Sequence, residues 1–270
     1  MIMFEIFQYS FMVRAFAAGI MIAVVAPLIG NFLVIKRFSL IADTLAHLAL
    51  AGVAIGLLTN TQPLSATIVL TAVAAIGIER LRASKNIPAD AVLAMFLPGG
   101  LALAIVLISF ANGFNIDLFT YLFGSIMTVK ESEIWLIIGL GIATVTVILL
   151  LYKKLLYASF DEESARASGV PVEPINIVLI VLTAITVSLA MRAVGILLVG
   201  ALMVIPVVTA MQLGRSFFQG MFLSVLFALM AVIAGLFIAY YLNVPAGGAI
   251  VLVSLIIFGL IALTNIRLRP

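Results

Sequence analysis

Cysteine is missing from all 270 residues, which excludes a disulfide framework, thiolate metal ligands and thiol redox chemistry. Any metal held by this chain is therefore held by oxygen or imidazole. Charge is nearly as scarce. Asp, Glu, Lys and Arg make up 9% of the residues, against 65% hydrophobic ones and a mean hydropathy of +1.37. A soluble core of this size could not hide so much apolar surface from water. The chain reads as an all-α, polytopic membrane helix bundle forming one domain over residues 1–270, with the lipid bilayer rather than nucleic acid as its surroundings. No Gly-x-x-x-x-Gly-Lys-Ser/Thr run is present, and none of Lys36, Lys85, Lys130, Lys153 and Lys154 follows a glycine. The chain is therefore not expected to hydrolyse ATP through a P-loop by itself. A basic n-region and an Ala-x-Ala cleavage site are also lacking, so the first apolar span is expected to remain in the mature protein.

Apolar stretches able to cross ~30 Å of hydrocarbon cover residues 11–35, 39–58, 64–79, 89–110, 133–152, 175–191, 194–213, 217–241 and 247–265. That predicts about nine transmembrane segments. Because the sixth and seventh are short and separated mainly by Arg192, Ala193 and Gly195, eight spans plus broken or re-entrant helices is the alternative. Pro206 is a candidate gate hinge where its helix unwinds. The apolar stretch Phe119–Val129 is too short to cross alone and suits an interfacial or half-membrane helix. Cytoplasmic loops gather Lys and Arg. With the N-terminus outside, Lys36, Arg37, Arg80, Arg82, Lys85, Lys153, Lys154, Arg166, Arg215, Arg267 and Arg269 fall inside, against Arg14, Lys130 and Arg192 outside. The expected orientation is N-terminus out, C-terminus in.

Histidine occurs once, as His47, four residues after Asp43 within Leu40-Ile-Ala-Asp-Thr-Leu-Ala-His-Leu-Ala-Leu50. In a helix that spacing puts an imidazole and a carboxylate one turn apart on one face. An Asp inside a spanning helix costs ~2.5–3.5 kcal/mol even on lenient insertion scales, so it normally faces a bundle interior, a partner or a substrate path. The pair reads as half of a divalent-metal site. Asp43, His47, Leu50 and Ala54 share a stripe at 100° per residue, while Gly52 and Gly56 fall on the roughly opposite face, suited to packing on another helix. Glu79 and Asp90 flank helix ends and are expected to be solvated or to compensate helix dipoles. Asp117, Glu131 and Glu133 read as surface charge on the outer side.

The longest polar break, Tyr157 to Pro174, carries Asp161, Glu162, Glu163, Ser164, Ala165, Arg166 and Gly169. Acidic residues at its start and Gly169 before Pro171 are start and stop signals for a short helix at about 160–169. Glu163-Ser-Ala-x-x-x-Gly169 resembles the Glu-Ala-Ala-x-x-x-Gly coupling motif of ABC importer permeases, whose short cytoplasmic helix docks on an ATPase subunit. Four further stretches resemble permease subunits of bacterial metal-ion ABC importers, the family carrying zinc, manganese or iron. They are Asp43-Thr-Leu-Ala-His47 with the residues after it, Tyr121-Leu-Phe-Gly124, the run from Val194 through Pro206 to Ala210, and Asn243-Val-Pro-Ala-Gly247. The run from Ala26 to Asp43 looks closest to zinc-type permeases.

This resemblance implies a multi-pass protein of the bacterial plasma membrane with a second permease copy, two cytoplasmic ATPase subunits and an extracellular metal-binding protein as partners. In a homodimer, one Asp43 and one His47 from each copy would supply four ligands. Neutral imidazole and carboxylate suit Zn²⁺, the expected cargo, and also Mn²⁺; no permanently bound cofactor is implied. Glu162 and its neighbours from Asp161 to Gly169 would couple to the ATPase. A proton-coupled metal carrier is the competing transport reading, but has no use for a docking loop. An intramembrane metalloenzyme would need more ligands and a base, and a permease for organic chelates would need a wide cavity.

Overall fold

The computed structural model describes residues 6–84, 87–110, 124 and 131–268. Their ten helices are α1 (Ser10–Ile35), α2 (Ile41–Leu58), α3 (Pro63–Ala83), α4 (Ala89–Phe110), α5 (Glu131–Phe160), α6 (Glu162–Ala167), α7 (Val172–Val194), α8 (Ile196–Met211), α9 (Phe217–Leu242) and α10 (Ala246–Leu268). No strand occurs among the described residues. Lys85, Asp117, Lys130, Arg269 and, apart from Gly124, the stretch 119–129 lie outside the described residues, as do the side chains of Arg192 and Arg267.

Eight of the helices are long and apolar enough to cross a membrane. The ninth apolar one, α8, has 16 residues, about 24 Å at the α-helical rise. It starts at Gly195, a buried residue at φ 86°, ψ 162°, a conformation open essentially to glycine alone. A single residue thus joins α7 to α8 inside the protein. The unwinding expected at Pro206 is not seen there: α8 continues through it, and the break lies at Gly195. Helix α5 runs past the expected end at 152 because Lys153 and Lys154 are exposed good helix formers that carry it beyond the apolar span.

Aromatic rings mark the two ends of the bundle. At one, Phe217 stacks near Phe32 and Phe160 with centroids 5.3 and 6.0 Å away. At the other, Phe237 lies 5.5 Å from Phe16 and Tyr240 lies 6.1 Å from Tyr9, so α1 and α9 run antiparallel. Between these ends the two helices share a buried polar clamp. Asn31 Nδ2 donates to Ser224 Oγ at 2.8 Å and to the Pro27 carbonyl at 2.6 Å. A second clamp joins α3 to α7, where the Thr71 and Ser188 hydroxyls lie 2.7 Å apart. Such hydrogen bonds hold helices together where lipid supplies no hydrophobic drive.

Candidate functional site

Helix α2 packs against α3 and α4 and touches α7 and α8, which leaves it almost wholly enclosed. From Ile41 to Gly56 every residue is buried except Asp43, His47 and Ile55, which are half-buried. The local i, i+4 spacing therefore sets a carboxylate and an imidazole together on the accessible slot of a covered helix. Leu50 and Ala54, the apolar continuation of that stripe, are 4% and 1% exposed. His47 Nδ1 is buried and has no hydrogen-bond partner among the described residues. A merely structural core histidine would normally satisfy that nitrogen; here its lone pair or proton is left unmet by the described residues. Among the described residues, no third Asp, Glu, His or Cys joins the pair.

The neighbouring helices reach α2 through glycines. Gly52 lies so close to Thr67, and Gly56 to Pro63, that an added Cβ would come within 2.6 Å of the Cα of each. The Gly-x-x-x-Gly face thus packs on α3, opposite the polar pair, as its spacing predicts. Gly100 of α4 approaches the backbone of His47 and Leu48 in the same way, a Cβ there falling 3.0 Å from the Leu48 nitrogen. Gly200 of α8 faces Asp43 itself: a Cβ would collide with carboxylate Oδ1. Sequence reasoning passed over Gly200, although it sits within the stretch from Val194 to Ala210. What it lacked was the knowledge that α8 crosses α2 at this level.

The second candidate element is α6. Asp161 caps its start, accepting from the Ser164 N–H at 3.0 Å. Gly169, at φ +79°, ends it, with Val170 N–H donating to the Ala165 carbonyl at 3.0 Å. Hydrogen bonds from the Ser164 side chain and backbone hold the exposed Asp161 carboxyl below its usual range. Glu163, Ser164, Arg166 and Gly169 are exposed, whereas Ala165 is fully buried. Ala165 therefore packs against this chain's own helices, not against a partner, and a bulky residue there would lift α6 off the permease.

Glu162 also turns inward. Its Oε1 accepts from Lys36 Nζ at 2.7 Å, from Arg82 Nη2 at 3.1 Å and from Asn176 Nδ2 at 3.1 Å. Burial pushes the Glu162 carboxyl up, but Lys36 and Arg82 outweigh it and hold the group at about 2. Burial also pushes the Lys36 ammonium down, opposed by Glu162. Arg82 forms a two-pronged pair with Glu79 at 2.7 and 2.8 Å. That corrects the expectation for Glu79: it is 4% exposed, an interior ion-pair partner instead of a solvated helix-end charge. Asp90 and Glu131 are exposed, as expected, while Glu133 is half-buried.

Residues 8–265 match the model of the ABC 3 transport family. The chain belongs to the ABC 3 transport family. Among its relatives, a "probable metal transport system membrane protein" of Treponema pallidum is 38% identical over 260 residues, 96% of this chain and 97% of that one. The manganese import system permease protein ScaB of Streptococcus parasanguinis is 34% identical, covering 93% and 89%. The high-affinity zinc uptake system membrane protein ZnuB of Haemophilus influenzae is 28% identical, covering 93% and 96%. The solved structure of PsaBC from Streptococcus pneumoniae in complex with Fab superimposes with a TM-score of 0.84 at 33% identity, over 95% of this chain and 92% of that one. As an ABC 3 family member the chain is a multi-pass permease of the bacterial plasma membrane, a transport subunit and not the ATPase.

Proposed function

We propose that this chain forms the membrane path of an ATP-driven importer for a divalent metal cation, with Asp43 and His47 as its ligands to the passing ion. The observation that carries this reading is the accessible carboxylate–imidazole pair on an otherwise buried α2, with a buried Nδ1 left unpartnered. A second copy of the chain, related by a two-fold axis, would complete four ligands, two imidazoles and two carboxylates. Tetrahedral N/O donors suit Zn²⁺. Bidentate carboxylates raise the oxygen count toward what Mn²⁺ prefers. The zinc expectation stands beside relatives named for both metals, and the manganese-named ScaB is the more similar of the two. Zn²⁺ binds the same donors more tightly than Mn²⁺, so cargo is decided by what the delivery protein hands over as well as by the site.

The excess of basic residues supports placing the end of the bundle with Lys36, Arg82 and α6 in the cytoplasm. There the exposed face of α6, from Asp161 to Gly169, is set to dock on the ATPase. The test is uptake of radioactive Mn²⁺ or Zn²⁺ by proteoliposomes containing permease, ATPase and delivery protein. His47→Ala and Asp43→Ala should each abolish uptake while the complex still assembles, because each removes two ligands from a dimeric site. Uptake at the wild-type rate by either variant sinks the assignment.

A further inference from the structure

The charged cluster beneath α6 lies outside the metal pair, and its geometry joins the two functional elements. Glu162 is the first residue of α6, and one oxygen of its carboxylate gathers donors from three helices. Lys36 caps the end of α1 and stands just before the short turn into α2, seven positions ahead of Asp43. Arg82 lies in the last turn of α3, the helix whose backbone packs on Gly52 and Gly56 of α2. Asn176 lies in α7. Side chains of Lys36 and Arg82 are only 7% and 18% exposed and that of Glu162 34%, so the contacts are partly shielded from the screening that weakens surface ion pairs. Lys36 also donates to the Ala158 carbonyl at the end of α5, at 3.0 Å.

We propose that Glu162 is a positioning residue for transport, the clamp through which displacement of α6 reaches α2 by way of the turn leading into it and of α3, and so moves the Asp43–His47 pair. The proposal rests on α6 being the ATPase-docking helix. On its outer face α6 offers a partner Glu163, Ser164, Arg166 and Ala167. On its inner face Glu162 and Ala165 reach the bundle; Arg166 also pairs with Glu173 of α7 at 3.5 Å and the Tyr157 hydroxyl of α5 donates to the Ser164 carbonyl at 3.3 Å, but among the described residues of α6 Glu162 is the one that bonds to Lys36 and to α3. An apolar contact at Ala165 would let α6 slide, whereas three convergent donors fix it in direction as well as distance. Motion of α6 then pulls on Lys36 and Arg82 jointly, and each leads to α2: Lys36 through the turn that precedes it, Arg82 through α3, whose backbone packs on Gly52 and Gly56.

Two measurements on the cysteine-free chain test this. In the permease alone, spin labels at Leu40→Cys, 53% exposed before α2, and at Ala167→Cys on α6 should give one narrow distance. Glu162→Gln should broaden it, and a distribution unchanged by that substitution overturns the clamp. In proteoliposomes with ATPase and delivery protein, Glu162→Gln should lower uptake and delivery-protein-stimulated ATP hydrolysis at least ten-fold. It should keep crosslinking from Ala167→Cys to the ATPase and keep metal binding at Asp43 and His47. Lys36→Gln should reproduce the loss, which a general folding defect confined to α6 would not. Full coupling in Glu162→Gln, with crosslinking intact, overturns the proposal and leaves docking standing. Absence of crosslinking in the otherwise wild-type chain overturns the docking reading, and the distance measurement then decides the clamp on its own.

Discussion

At the proposed metal site the residues have separate roles: Asp43 and His47 would offer ligands to a cation, and Gly200, by lacking a side chain, leaves room for the Asp43 carboxylate. Gly200→Ala isolates the third role. Replacing glycine by alanine inside a helix favours the helix by about 1 kcal/mol, so α8 itself should not weaken. The new Cβ would nevertheless displace Asp43 Oδ1. Uptake should fall roughly 10–100-fold, the range found when the support of a metal ligand is disturbed, with expression and helix content unchanged. Uptake within two-fold of wild type would show that Asp43 works without that close approach.

At the scale of elements, the clamps between helices set what can move. Asn31→Leu keeps side-chain size but removes the donor that joins α1 to Ser224 on α9. Its cost should be about 1 kcal/mol, within the ~0.6–2 kcal/mol seen for hydrogen bonds between membrane helices, read from denaturant unfolding in mixed micelles. The α6 clamp has a sign in pH. The Glu162 carboxyl is depressed from 4.5 to about 2, so its contribution is fully present above pH 4.5 and is lost as pH falls through about 2. Labels at Leu40→Cys and Ala167→Cys should therefore give the same narrow distance at pH 7 and pH 4, broadening only as pH approaches 2. Broadening complete at pH 4 would contradict the depressed carboxyl.

On the scale of the whole molecule, the proposed site needs a second copy, because among the described residues of one chain no third Asp, Glu, His or Cys joins Asp43 and His47. The half-buried slot bearing Asp43 and His47 is where a second copy would close the site. His47→Cys, in a chain with no other cysteine, should form a dimer when Hg²⁺ bridges two thiolates across the two-fold axis. Cysteine at Trp135, 69% exposed on α5, should not. Equal dimer formation from both positions would point to collisional crosslinking and remove support for a site shared at the axis.

How much of this is legible in the sequence follows from the range of the forces involved. Apolar composition and helix-length runs determined the membrane bundle, because hydrocarbon requires every backbone group to be satisfied within its own helix. The i, i+4 spacing of Asp43 and His47, the opposite Gly52–Gly56 face and the caps of α6 were equally readable, each being settled within two turns of chain. The direction in which the charges face was not. Glu162 meets Lys36 across 126 positions and Arg82 across 80; Glu79 is drawn inward by Arg82 at the same junction. The break at Gly195 instead of Pro206, Ala165 turned onto its own chain, and Gly200 against Asp43 share that origin. Only the tertiary structure decided them, because which helices meet, and at what height, depends on the fit of side chains far apart in sequence.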